Sequence, residues 1–239
     1  MTSSYGSSAR VQIKGLWWKY LVGIWMSIAI MLAFLKIGPA EGFTMGGHGS
    51  KVLFFHVPCA WLATIAYIAA AVYAIIFLRK LQVGWEAGRE ADAKCCVSME
   101  MGFLFSILTT ITGSIFAHNE WGSYWNWDPR ETTIVILLLI FAAYLVLRGG
   151  IVDPVTRGKL SSAYVLISVV PGLFLIWVVP RILETLHPNG AVIGGGLSAN
   201  FRLVLYPFAM PAYIGTFIWL FQLKVRLLNF EHKREMAQP

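Results

Sequence analysis

Charged side chains are scarce in this sequence of 239 residues, which narrows the choice of protein class. They make up 13% of the chain, whereas an ordinary soluble domain carries about 25%. Hydrophobic residues make up 57%, and the mean hydropathy is +0.66. These values exclude a soluble globular domain and a disordered chain. The composition therefore predicts an integral membrane protein that crosses the bilayer several times.

Cysteine is also scarce, since the chain contains only Cys59, Cys95 and Cys96. None of them forms a C-x-x-C pair, which excludes a dithiol redox motif and a covalent attachment site for c-type haem. The net charge is +7, but the basic residues stand in short segments between apolar runs. We attribute this excess to cytoplasmic loops and expect no nucleic-acid partner.

Six long apolar stretches divide the chain. Because a backbone in lipid must satisfy its own hydrogen bonds, each stretch is predicted to be a transmembrane helix. The predicted fold class is therefore all-α, with residues 1–239 forming a single six-span membrane domain. The stretches cover residues 16–35, 57–78, 97–117, 132–147, 160–179 and 203–223.

Lysine and arginine are distributed unevenly between the two sides of these spans. Fourteen lie on one side and five on the other, which accounts for all 19. The positive-inside rule places the richer side, and with it both termini, in the cytoplasm. The loops 36–56, 118–131 and 180–202 then face outward.

The spans themselves are nearly free of ionisable residues, and no histidine lies in the middle of one. Intramembrane charges usually mark ion or proton pathways. Because the spans carry almost no such charges, we expect the functional residues to lie on the outer face. Four of the five histidines fall in or beside the outward loops, namely His48, His56, His118 and His187.

The loop 118–131 reads HNEWGSYWNWDPRE and is rich in aromatic residues. One interpretation is an interfacial belt, since Trp and Tyr favour the headgroup region. The other is a binding platform, because spacings of three and four residues would place several rings on one face of a short helix. Such a face suits a large flat ligand. The aromatic residues are Trp121, Tyr124, Trp125 and Trp127.

The end of this loop allows two interpretations at each position. Asp128 followed by Pro129 is typical of a helix start, so the carboxylate is expected to cap the fourth span whether or not it contacts a ligand. Arg130 is suited to pairing with a ligand carboxylate, and equally to extending towards the membrane interface.

The stretch WGSYWNWDPRE closely resembles the tryptophan-rich WGxxWxWD motif of haem-handling proteins in cytochrome c maturation. HVPCAW, residues 56–61, resembles the segment that opens the second span of the haem exporter protein C family. His187 stands where that family has its second external histidine. Length and span number also agree with that family. The DPRE ending is closer to the sister haem-handling family of the other bacterial assembly system, whose members are generally longer.

The resemblance implies a multi-pass protein of the cell inner membrane that binds non-covalent haem b on its periplasmic face. His56 and His187 would be the axial ligands, and the aromatic residues of the loop, with Asp128, would form the haem platform. The implied partners are a membrane-anchored periplasmic haem chaperone, a pair of ABC transporter subunits and a small single-span subunit. Whether such a protein catalyses the bond between haem and chaperone is left open.

The residues themselves are compatible with this assignment. Haem iron accepts neutral imidazole on both faces. We expect Pro58 to begin the second span, with His56 just before it, and residues 188–190 to form a turn after His187. The glycine-rich segment 190–196 would let the His187 loop open and close. His118 and His48 are reserve ligands. The candidate partners of the haem propionates are Arg130, Arg181 and Arg202.

Three alternatives compete with this function. In the sister family, haem passes directly to apocytochrome c. A membrane redox subunit holding haem b would need histidine pairs on facing helices inside the bilayer, and the sequence offers none there. A transporter that moves a solute through its own spans would be expected to carry intramembrane charge.

Overall fold

The computed structural model describes residues 15–37, 51–187, 197 and 199–237, and within these ranges all regular secondary structure is helical. A five-residue π-helical segment, Leu205–Ala209, joins the last two helices. The helices are α1 (Trp17–Leu35), α2 (Leu53–Leu81), α3 (Trp85–Trp121), α4 (Pro129–Gly149), α5 (Pro154–Trp177), α6 (Val179–Ile182), α7 (Ala199–Val204) and α8 (Met210–Met236).

Six of these helical stretches are long and apolar enough to cross a membrane, which confirms the predicted all-α, six-span architecture. The antiparallel pair α2 and α3 forms the centre of the bundle and is connected by only three residues, 82–84. Helices α4 and α5 pack on one side of this pair and α8 on another, while α1 packs against α8. About half of each central span is buried, whereas the peripheral spans leave most of their surface for lipid.

The predicted start of α2 and both predicted ends of α3 are wrong. Helix α2 begins at Leu53, so Pro58 lies inside it and His56 belongs to its first turns. Proline removes one backbone hydrogen bond, but transmembrane helices tolerate this loss because neighbouring helices pack around the site. Helix α3 runs from Trp85 to Trp121, well beyond the apolar stretch 97–117 at both ends.

The helix order brings different functional groups to the two ends of the bundle. We call the end formed by the starts of α2 and α4 and the ends of α3 and α5 the site end, because His56 lies there. The opposite end carries a buried ion pair in which Arg148 donates two hydrogen bonds, of 2.9 and 2.7 Å, to Asp92. This pair joins α3 to α4.

Candidate functional site

His56 is fixed against α3 by hydrogen bonds at one ring nitrogen. Its Nδ1 lies 3.0 Å from the backbone carbonyl oxygen of Thr109 and 3.3 Å from the hydroxyl oxygen of Thr112. A carbonyl oxygen can only accept a hydrogen bond. The Thr112 hydroxyl donates its own proton to the Leu108 carbonyl at 2.6 Å, so it also acts as an acceptor towards His56. The proton of the neutral imidazole therefore sits on Nδ1, which leaves the lone pair on Nε2.

The tryptophan-rich segment is an irregular loop of residues 122–128 between the end of α3 and the start of α4. Gly122 ends α3 in the left-handed conformation, with φ of 76°, and its N–H donates to the His118 carbonyl. Helix α3 therefore includes His118 and Trp121, while Tyr124 and Trp125 lie beyond it. The prediction that one short helix carries Trp121, Tyr124 and Trp125 on a single face is wrong.

Glu131 holds this loop in shape from within α4. Its Oε2 accepts the backbone N–H of Asn126 at 2.6 Å and that of Asp128 at 3.3 Å. The second contact completes a capping box with Asp128. The glutamate of the DPRE ending thus has a structural task, because it satisfies two N–H groups that the irregular loop leaves without partners.

Asp128 caps α4, as the sequence predicts, and also contacts a distant part of the chain. Its Oδ1 accepts the Arg130 N–H at 2.9 Å, while its Oδ2 accepts the Leu186 N–H at 2.6 Å. Its Oδ1 also lies 3.3 Å from Nδ1 of His187. The carboxylate is buried, so it connects the start of α4 to the segment carrying His187.

His187 is enclosed between Asp128 and Trp121. Its ring meets the Trp121 indole edge-on, with centroids 4.9 Å apart. Burial lowers the pKa of His187 to about 4; the nearby charge of Arg130 acts in the same direction, and Asp128 opposes it. The imidazole is therefore neutral at physiological pH, as a metal ligand must be.

Arg130 lies close enough to His187 for its charge to disfavour protonation of that ring. His56 also lies close enough to His187 that a charge on one imidazole would disfavour a charge on the other. The structure thus brings together, at the site end, residues from four separate parts of the sequence. We call this group the His–Trp cluster, and its members are His56, Trp121, Asp128, Arg130 and His187.

The other aromatic residues of the loop border the cluster and differ in exposure. His118 stacks on Tyr124 with centroids 4.1 Å apart and planes 7° apart, and both are exposed. Trp125 meets Trp127 edge-on at 5.9 Å. Trp127 is 73% exposed and adopts φ of 55°, a left-handed conformation that is rare for a bulky residue.

The three predicted arginine partners differ in their contacts. Arg181 is close enough to Arg130 for their charges to interact. It donates a hydrogen bond to the Trp177 carbonyl and lies 5.1 Å from the centroid of the Trp177 ring. Arg202 is exposed on α7 and has no ion pair with another residue of the described ranges.

Several site residues escaped prediction. Trp61, one turn beyond His56 on α2, meets Trp177 of α5 edge-on at 6.0 Å. Trp61 and Trp121 both pack against a buried apolar cluster that includes Phe54, Phe116 and Phe201. Trp61 already stood in the HVPCAW segment, but nothing in the sequence predicts its contact with Trp177. His48 and the segment 188–196 lie outside the described residues.

The chain is similar to known proteins along most of its length. A family model described as "Heme exporter protein C" matches residues 3–238. A "Putative cytochrome c biosynthesis ccmC-like mitochondrial protein" from Arabidopsis thaliana is 28% identical over 217 residues, which cover 88% of this chain and 78% of that protein. A "Heme exporter protein C" from Paracoccus denitrificans is 27% identical over 180 residues, 74% of this chain and 71% of its own.

A second type of relative shares only part of its length with this chain. "Cytochrome c biogenesis protein CcsA" from Ranunculus macranthus is 40% identical over 160 residues. These cover 66% of this chain but only 46% of that protein. The chain therefore spans less than half of this longer relative.

Proposed function

Because this chain belongs to the haem exporter protein C family, and so to the proteins that handle haem for cytochrome c maturation, we propose that its His–Trp cluster binds haem. In this proposal His56 and His187 are the two axial ligands. The cluster lies on the periplasmic side of the inner membrane, and both chain termini lie in the cytoplasm. Haem is the cargo of the protein, which presents it to a membrane-anchored periplasmic chaperone.

The observation that carries this proposal is the fixed tautomer of His56. Two oxygen acceptors at Nδ1, 3.0 and 3.3 Å away, leave Nε2 as the available donor atom. A ligating histidine typically donates its other N–H to a carbonyl or carboxylate, which fixes the ring and strengthens the ligand. The Asp128 carboxylate lies 3.3 Å from Nδ1 of His187, as an ion-pair contact without the geometry of a hydrogen bond.

The surrounding side chains match the remaining chemistry of haem. The porphyrin ring is apolar and flat; Trp121 offers apolar surface beside His187, and Trp61 follows His56 on α2 and packs on the same apolar cluster as Trp121. The propionates are anionic, and Arg130 and Arg181 bring two guanidinium groups to the same end of the bundle. Arg202, exposed on α7, is the third candidate for this pairing.

We propose that the haem is held without a covalent bond. Covalent attachment needs cysteines beside a ligating histidine, and the three cysteines of this chain are buried in α2 and α3. Acid–acetone extraction of the purified protein should therefore remove all haem from the polypeptide. Colour that remains on the denatured chain would contradict a b-type site.

Exposed aromatic side chains next to the cluster supply a surface for the chaperone. Tyr124 and Trp127 are 59% and 73% exposed. Large exposed aromatic residues are typical anchors of protein interfaces. Haem bound between His56 and His187 would have these rings at its margin, where a second protein could receive it.

A second candidate is direct delivery of haem to apocytochrome c, as in the sister family. The 40% identity to the longer CcsA relative favours it over the shared segment. The two candidates differ in partner, so cross-linking of haem-loaded protein in membranes distinguishes them. Capture of the chaperone supports our first proposal, and capture of apocytochrome c alone would replace it.

The ligand assignment is tested by imidazole rescue. His56→Ala and His187→Ala should each lower haem occupancy and change the visible spectrum, and added imidazole should restore much of it by filling the vacant axial position. Trp125→Ala should lower haem retention without an effect of imidazole, because it removes apolar contact rather than a ligand. His118→Ala is the control. An imidazole-rescuable defect in His118→Ala, and none in His187→Ala, would overturn the assignment.

A further inference from the structure

The ring of His56 lies against a position of α3 that has no side chain. A Cβ atom built on Gly113 would lie 2.9 Å from Cε1 of His56 and 3.3 Å from its Nδ1. Contacts below 3.0 Å are essentially not observed for a real Cβ, so the ring and a side chain at position 113 cannot both occupy this space. Gly113 therefore makes room for the imidazole.

The same turn of α3 supplies both hydrogen-bond acceptors of His56. The Thr109 carbonyl and the Thr112 hydroxyl reach Nδ1 from four residues and one residue before Gly113, respectively. The ring is thus held by acceptors on one side and by the bare backbone at position 113. A ring pushed away from position 113 would lose the 3.0 Å bond first, because that bond requires close approach to the helix backbone.

We propose that Gly113 is a positioning residue for His56, and that Gly113, Thr109 and Thr112 form a socket that fixes the His56 ring for axial ligation. This inference rests on the proposed haem function. The socket acts only through His56 and touches no ligand itself. Loss of an outer partner of a metal-ligating histidine typically lowers metal affinity about 10- to 100-fold.

The space around Gly113 makes the substitution Gly113→Ala informative. The atoms that a new Cβ would meet belong to a side-chain ring and not to the backbone. The ring can move away while the helix stays intact, so the cost falls on the position of His56 and not on folding. Alanine is also a better helix former than glycine.

Gly102→Ala is a matched control in the same helix. A Cβ at position 102 would lie 2.7 Å from two ring atoms of Phe141, so this change crowds an aromatic ring that is remote from the His–Trp cluster. Both variants add one methyl group to α3 against a neighbouring ring. Only Gly113→Ala displaces a proposed ligand.

The test measures haem binding by the full-length protein in detergent, with hemin as the probe. We expect Gly113→Ala to weaken hemin binding about 10- to 100-fold and to give the altered spectrum of His56→Ala, restored by imidazole. Gly102→Ala should keep the wild-type spectrum. The double variant His56→Ala/Gly113→Ala should be no worse than His56→Ala alone, because both changes act on one ligand.

The other outcomes distinguish a failure of the socket from a failure of the proposed haem function. A normal spectrum in Gly113→Ala, or equal defects in Gly113→Ala and Gly102→Ala, would overturn the socket while leaving the haem proposal intact if His56→Ala is rescued by imidazole. If His56→Ala itself shows no ligand defect, both proposals fail.

A second pair of variants covers the case in which Gly113→Ala does not fold. Thr112→Val removes one acceptor of His56 without adding volume and should give a weaker defect of the same kind, which Thr112→Ser should not show. Thr110→Val is its control, since the Thr110 hydroxyl donates to the Ser106 carbonyl, at 2.8 Å. Equal behaviour of the two valine variants would again overturn the socket.

Discussion

The Asp128 carboxylate lies 3.3 Å from Nδ1 of His187, although the two residues are 59 positions apart in sequence. The same carboxylate caps α4 through the Arg130 N–H and accepts the Leu186 N–H at 2.6 Å. One buried side chain therefore fixes both the start of a transmembrane helix and the segment that carries a proposed haem ligand. The final residue of the tryptophan-rich motif is thus placed to position a histidine.

Asp128→Asn should separate these two tasks. Asparagine is a good N-cap, so α4 should still form. Its amide has only one acceptor oxygen, however, and cannot serve Arg130, Leu186 and His187 together. We expect hemin affinity to fall about 10- to 100-fold, as measured by spectroscopic titration.

Asp153→Asn provides the control for this change. Asp153 caps α5 by accepting the Thr156 N–H at 2.7 Å, and it lies at the opposite end of the bundle. It should leave hemin affinity unchanged. Equal losses in the two variants would show that Asp128 acts only as a cap.

Glu131→Ala should loosen the loop 122–128 without touching either histidine. Two loop N–H groups lose their acceptor, which costs about 1–3 kcal/mol for each buried donor left unpaired. Hemin should bind more weakly with an unchanged axial spectrum, and limited proteolysis should cut the loop faster. Glu184→Ala, an exposed glutamate at the same end, should do neither. A changed axial spectrum would assign Glu131 to the support of a ligand.

The haem-free protein should keep His187 neutral to unusually low pH. Burial lowers its pKa from 6.5 to about 4, so the unfolded chain takes up this proton before the folded protein does. The stabilising contribution of neutral His187 is complete above pH 6.5, falls as the pH drops towards 4, and changes no further below that.

Histidine-labelled NMR, with His187→Ala used to assign the resonance, should show a midpoint near pH 4. The thermal unfolding midpoint should also decline more steeply between pH 6.5 and 4 in the wild type than in His187→Ala. A resonance that titrates near pH 6.5 would contradict the enclosed position of this ring.

The proposed topology is open to cysteine labelling, because the native cysteines are all buried and should give little background. Tyr124→Cys should react with a membrane-impermeant thiol reagent in intact cells. Val83→Cys and Val152→Cys, at exposed positions of the opposite end, should react only after permeabilisation. The reverse pattern would move the His–Trp cluster to the cytoplasmic side.

Asp92→Asn should destabilise the protein strongly without changing the axial spectrum. Removing one partner leaves the Arg148 charge buried and unpaired, which typically costs about 3–5 kcal/mol. Glu100→Gln breaks a more exposed pair, with Lys224 at 3.2 Å, and should cost about 1 kcal/mol or less. Thermal unfolding of the two variants should differ accordingly; equal midpoints would contradict a structural task for the buried pair.

Hydropathy in the sequence predicts the number and order of the spans because lipid contact requires long apolar runs. It does not predict where the helices end. Residues 85–96 include five charged side chains, so hydropathy excludes them from the third span, yet they form the first turns of α3. Pro58 suggests a helix start, but packing between α2 and α3 carries the helix through it.

The site was only partly predictable for a similar reason. The tryptophan-rich stretch and the two histidines are visible as residue types in the sequence, and Asp128 as a helix cap. The contacts that place them are not local. Thr109 meets His56 across 53 residues, and Asp128 meets Leu186 across 58. Such pairs depend on helix packing, which residue spacing alone does not encode.

The backbone conformation of Trp127 is energetically unfavourable, yet it exposes an aromatic side chain. A bulky residue in the left-handed region costs about 1–3 kcal/mol, and this one presents a 73% exposed indole to the surroundings. Glycine at this position would remove the conformational strain. Selection for thermal stability would therefore favour Trp127→Gly. The replacement would remove the exposed indole, so the more stable protein would lack a ring that we propose as part of the chaperone surface.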